Sequence, residues 1–125
     1  MSTFSFTNII AWQKAHDFVL HVYRVTRAFP SEEIYGLTSQ FRRAAISIEA
    51  NIAEGYIKLS KADKLRFLNI SQGSLEECRN YIILSKDLEY IDQEEAQVLY
   101  EKIEDTSRML YLYCQGIIEN NGMRD

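Results

Sequence analysis

The chain has 125 residues, 46% of them hydrophobic and 26% charged, which suits one globular domain with a single core. Its net charge of −4 and isoelectric point near 5.2 argue against a strong, autonomous nucleic-acid binder, which needs a concentrated positive surface. No run of 18 apolar residues could span a membrane, and the N-terminus has no basic-then-apolar leader, so the expected location is the cytoplasm, with Cys78 and Cys114 as reduced thiols.

Helical periodicity runs through most of the chain, whereas strand-like alternation is absent. The first helix is expected over about residues 9–28, with Asn8 as its N-cap and Pro30 as its stop. Trp12, Ala15, Val19, Val22, Thr26 and Phe29 step by three and four along it. The second is expected over 37–54, with Gly55 as a left-handed C-terminal residue. The third spans 60–88, and Ser60 with Asp63 forms a capping signature at its start. It carries a bulky seam (Leu65, Leu68, Leu75, Ile82) and a second seam with small residues at its centre (Phe67, Ser71, Ser74, Cys78, Tyr81, Ser85, Leu88). The fourth spans 92–120, capped by Asp92 and Glu95, with Ala96, Leu99, Ile103, Thr106, Leu110, Tyr113 and Ile117 in one register.

Short connections make neighbouring helices antiparallel, so the expected fold is a single-domain, all-α, up-down-up-down four-helix bundle. The core should hold Trp12, Val19, Phe41, Ile48, Ile52, Leu68, Leu75, Ile82, Leu99, Ile103 and Leu110. In that hairpin geometry Cys78 and Cys114 are about 16 Å apart, too far for a bridge. The segment Met109–Ile118 is apolar on nearly every side. One buried stripe suffices for a lone bundle, so Met109, Tyr111, Leu112, Cys114 and Ile118 are expected to contact another copy of the chain.

Gln40, Arg43, Ser47, Asn51 and Glu54 form a polar stripe on the second helix. A solvated face is one reading. The other is a polar seam that specifies which helices or subunits meet, and the weak helix formers Ser47 and Asn51 favour it. Arg43 would then reach Gln72 or Glu76 on the third helix. Catalysis is not expected there, because Arg43 and Glu54 are about 16 Å apart and no histidine or nucleophile–base pair adjoins them. His16 and His21 lack the Glu-x-x-His spacing of a di-iron bundle, and there is no Cys-x-x-Cys and no phosphate-cradling loop, so no metal or cofactor is expected.

Lys58, Lys61, Lys64 and Arg66 cluster at the turn between the second and third helices. They are either a soluble turn or a phosphate-contacting rim made effective by repetition in a ring. Alternating helices would also separate charge along the axis. The end with the first and third connections carries seven acidic residues against two basic ones, and the other end five basic against four acidic.

Several segments resemble a known family. "AWQKA", "FPSEEIYGLTSQFRRAAISIEANIAEG" and "RFLNISQGSLEE" are similar to small bacterial proteins first noticed as reading frames in intervening sequences of 23S ribosomal RNA genes, often labelled the S23 ribosomal protein family. The resemblance covers roughly residues 10–115. Its specific part runs from Gly36 to Gly55, supported by Phe67, Leu68, Gly73, Ser74 and Glu77. It implies a four-helix bundle assembled as a ring-like homopentamer. It also implies kinship with the accessory protein of diversity-generating retroelements, which binds a reverse transcriptase and nucleic acid. The expected function is a non-catalytic oligomeric scaffold for a protein or ribonucleoprotein partner, such as a reverse transcriptase. The alternative is an RNA- or DNA-binding protein that uses the basic rim.

Overall fold

The computed structural model describes residues 5–120. Four α-helices account for most of them, and no strand occurs among the described residues: α1 (Ile10–Thr26), α2 (Leu37–Tyr56), α3 (Lys61–Asp87) and α4 (Gln93–Glu119). Single 3-10 turns occupy Phe6–Asn8 and Ser31–Glu33. No helix is long and apolar enough to cross a membrane among the described residues.

Contacts between the helices define their directions. His16 of α1 meets Glu49 of α2, whereas Thr26, further along α1, meets Arg42, earlier in α2. Ser47 meets Ser74 across α2 and α3, and Gly55 lies against Lys64. Arg79 pairs with Glu104, and Lys61 reaches the Ile118 carbonyl, across α3 and α4. Asp17 pairs with Lys102, and His21 with Glu95, across α1 and α4. In each pair one residue number rises as the other falls, so every helix runs antiparallel to both neighbours.

The core lies where the apolar stripes converge. Phe18, Val22, Phe41, Ile48, Ile52, Leu68, Ile82, Leu99, Ile103 and Leu110 are essentially sealed from water. Trp12 is not a core residue. It sits at the edge, edge-on to Phe6 at 5.3 Å and stacked on His16 at 4.7 Å. Both cysteines are free, and burial pushes both thiols above their ordinary value.

Several helix ends differ from the sequence expectation. Asn8 is part of a 3-10 turn rather than the N-cap of α1; Ile9 takes that position without a side-chain cap. α1 stops at Thr26, whose hydroxyl donates back to the Val22 carbonyl while the chain tightens into i→i−3 bonds at Ala28 and Phe29. Ser60 and Asp92 do cap α3 and α4, accepting from the amides of Asp63 and Glu95. Past Leu88, Glu89 adopts φ 64° where glycine is usual, and the amides of Glu89 and Tyr90 bond back to Lys86 and Ser85 in a Schellman arrangement.

Gly55 is not the left-handed residue expected. The helix continues through Tyr56, and none of the described glycines has positive φ. What Gly55 supplies is space, since a Cβ there would lie 3.2 Å from the Lys64 carbonyl oxygen and 3.2 Å from the Phe67 Cβ. Glycine in a helix interior costs about 1 kcal/mol relative to alanine, and the close approach of α3 offsets that cost.

Two substitutions test this packing by chemical denaturation. Ile48→Ala should cost about 2–5 kcal/mol through the cavity it leaves. Gly55→Val should cost about 1–3 kcal/mol by forcing α3 off α2; an unchanged midpoint would show that the two helices do not meet there.

Candidate functional site

The run from Gly36 to Gly55 is chiefly the α2–α3 and α1–α2 joinery. Ala44, Ala45, Ile48 and Ile52 are buried. Ser74 donates to the Ser47 hydroxyl at 2.7 Å, and Ser71 donates to the Ile48 carbonyl at 2.9 Å. Asn51 donates to both the carbonyl and the hydroxyl of Ser47. Small side chains allow the helices to approach, and hydroxyls satisfy the polar groups the approach buries.

The polar stripe therefore divides. Ser47 and Asn51 are half-buried in the α2–α3 seam, whereas Gln40, Arg43 and Glu54 are exposed. Arg43 does not reach α3, and Glu76, one of its two expected partners, pairs with Arg79. The arginine that forms a structural bond is its neighbour. Arg42 donates to the Thr26 hydroxyl at 2.8 Å and lies 4.5 Å over the Tyr23 ring, closing the C-terminal end of α1. Thr38, Arg42 and Glu49, spaced by four and seven, mark this flank in the sequence. Arg43 borders a groove of about 380 Å³ with Tyr23, Ile34, Thr38, Ser39, Arg42 and Ile46.

All four basic residues of the α2–α3 turn have partners within the chain. Lys64 donates to the Tyr56 carbonyl at 2.8 Å, and Lys61 donates to the Ile118 carbonyl at 3.3 Å. These lysines cap the C-terminal ends of α2 and α4, where the helix dipole favours cations. Partial burial holds the Lys64 ammonium below its ordinary pKa. Lys58 pairs with Glu54 at 3.6 Å, and Arg66 pairs with Asp63 at 3.3 Å. Both also lie over the Phe67 ring.

Each histidine binds a carboxylate on a neighbouring helix. His16 Nδ1 is 3.0 Å from Glu49, and His21 Nε2 is 2.8 Å from Glu95. Arg24 donates to His21 Nδ1 at 3.2 Å, which leaves Nε2–H as the donor to Glu95. These pairs pin α1 to α2 and α4. No cluster of three or more metal-ligating side chains occurs among the described residues.

The C-terminal half of α4 divides as well. Met109 and Cys114 turn inward and pack on the core, whereas Tyr111, Leu112 and Ile118 are exposed. Tyr111 lines a recess beside α3 with Gln72, Arg79 and Ser107, and Leu112, about 100° further round the helix, faces away from it.

The two connections at the acidic end are joined by one carboxylate. Glu33 Oε1 accepts from the Leu37 amide at 3.0 Å, capping α2, and Oε2 accepts from the Tyr90 hydroxyl at 2.7 Å. The Tyr90 ring packs on Phe29 with centroids 5.3 Å apart. Gly36 leaves room for the carboxylate, since a Cβ there would fall 2.6 Å from Oε1. The Leu37 amide and then the Tyr90 hydroxyl hold the Glu33 carboxyl below its ordinary pKa.

Residues 7–112 match the family described as 23S rRNA-intervening sequence protein. A crystal structure of a protein of unknown function from the S23 ribosomal protein family of Bacteroides thetaiotaomicron VPI-5482 superposes with a TM-score of 0.77. It is 22% identical, and the alignment covers 83% of this chain and 97% of that one. None of the curated proteins matches the chain. The chain belongs to the 23S rRNA-intervening sequence protein family.

The Glu33 clasp makes stability depend on pH with a definite sign. A carboxyl with a lowered folded-state pKa stabilises fully above its unfolded value, and the contribution disappears as pH falls through the folded value. Thermal melts between about pH 5 and 3 should show a shallower fall for Glu33→Gln than for the parent chain. Parallel profiles would show that Glu33 does not couple to folding.

Proposed function

We propose that this member of the family acts as a non-catalytic, homo-oligomeric scaffold: a cytoplasmic, ring-like pentamer that presents surfaces to a protein or ribonucleoprotein partner. The observation that carries this reading is the apolar surface left over once the core is closed. Tyr35, Leu59, Ile57, Tyr111, Leu112 and Ile118 are each more than half exposed, distributed over several sides of one small bundle. Monomeric proteins expose isolated apolar side chains, whereas repeated apolar faces mark association. The number five comes from the family resemblance. A reverse transcriptase, with or without RNA or DNA, is the kind of partner that the resemblance to retroelement accessory proteins implies.

The polar chemistry agrees with a scaffold. The carboxylates paired with His16, His21, Lys102 and Arg79 link helices to one another. Nucleic-acid binding through Lys58, Lys61, Lys64 and Arg66 is the weaker alternative, because each cation already has a partner within the chain. Exchanging those bonds for phosphate contacts would uncap α2 and α4.

Light scattering on the purified chain at micromolar concentration should give about five times the 14.6 kDa subunit mass. A monomer would overturn the scaffold reading, and a stable dimer would overturn the pentamer while leaving self-association standing.

A further inference from the structure

We infer that copies of the chain join head to tail, the exposed face of α3 on one copy seating in the α1–α2 groove of the next. This rests on the oligomeric reading above and names its contact surfaces. Two exposed faces of the bundle carry complementary chemistry at the same height.

The first is a third stripe on α3, separate from both seams that pack within the chain. Ile70, Gly73, Glu77, Asn80, Leu84 and Leu88 step by three and four and are all exposed. This is the spacing of a helix–helix seam, here without a partner among the described residues. Its charges beyond the midpoint are acidic, Glu77 and Asp87. Nothing stands within 4 Å of where a Cβ would project from Gly73, so the stripe has a gap at its centre.

The second face is the α1–α2 groove. Arg42 and Arg43 line it, no carboxylate does, and Ile34 and Ile46 form its apolar walls. A positive groove on a chain of net charge −4 is a local reversal of sign. Arg42 is held in place by Thr26 and Tyr23, and among the described residues it forms no ion pair with a carboxylate. Ile34 and Ile46 are 50% and 40% exposed, comparable to Ile70 and Leu84 at 47% and 40%.

Register decides how the faces meet. Ser47 stands opposite Ser74, so Arg43, four residues earlier, is level with Cys78 and thus beside Glu77. By the same count Ile46 is level with Leu75, between Gly73 and Glu77; Ile34 precedes α2 and follows Glu33, whose bond to Tyr90 sets it near the Leu88 end of α3. In a ring whose axis runs parallel to the helices there is no rise along them from copy to copy, so faces at equal height on one copy meet. Arg43 then meets Glu77, Ile46 enters the gap at Gly73, and Ile34 meets Leu88. The faces flank α2 rather than lying back to back, so successive copies turn about an axis.

A head-to-tail contact can be blocked on either side independently. Ile46→Asp should spoil the groove and Leu84→Asp the α3 stripe, each alone yielding monomer. Mixed, they should form a one-to-one heterodimer and nothing larger, since one intact groove and one intact stripe remain. Arg43→Glu and Glu77→Arg should each raise the dissociation constant at least about tenfold, and the combined reversal should restore it. Far-ultraviolet circular dichroism on every variant confirms that the helices are formed. If the wild-type chain is oligomeric and the folded variants keep its mass, the contact lies elsewhere and this inference fails while the scaffold reading survives. If the wild-type chain is a monomer, both fail.

Discussion

The close approach of α2 to α3 governs this fold. Gly55 lets the first turns of α3 come within contact of the end of α2, and the Ser47–Ser74 and Ser71–Ile48 hydrogen bonds fix the two helices in one register. Hydroxyls in such a seam have directional requirements that an apolar pair lacks, because a slip would leave buried donors without acceptors. The register then sets the heights of all other groups. It places the lysines of the turn against the ends of α2 and α4, and the two connections of the far end side by side.

The bundle's charges follow from its helix ends. Acidic groups gather where α2 and α4 begin, and Glu33 and Asp92 cap those starts directly. Cations gather where the same helices finish, and Lys64 and Lys61 bond the last carbonyls. The lopsided charge of the chain is thus largely the electrostatics of capping. Its exception is the pair Arg42 and Arg43. Arg42 closes α1, but neither guanidinium is neutralised by a carboxylate in the groove they line.

The distribution of polar groups bears on function. Between helices, nearly every cross-link is an ion pair or a hydroxyl bond that holds two elements together, and the thiols, Cys78 buried and Cys114 half-buried, are hard to ionise. What the bundle presents outward is shape, apolar surface and charge. The structural likeness supports the architecture, and the surface is where this chain's own chemistry has most to say.

Four helices, their order and most of the core were legible in the sequence, because helical period and capping are local. Ser60 and Asp92 announced their helices, and the stripes through Val19, Ile48, Leu75 and Leu99 marked the buried side. Residues on the flanks of those stripes were not legible. Successive side chains diverge by about 100°, so a small rotation of a helix decides which of two neighbours meets the next element. Arg42 rather than Arg43 bonds α1, Met109 and Cys114 turn in while Tyr111 and Leu112 turn out, and Trp12 lies at the edge. Gly55 reads as a helix stop from its position and as a spacer from its neighbours, since only the packed fold shows what a side chain there would strike. The sequence by itself determined the helices and their inner faces; the packing of α2 on α3 decided the flanks, the ends and the surfaces, because those depend on groups distant in sequence.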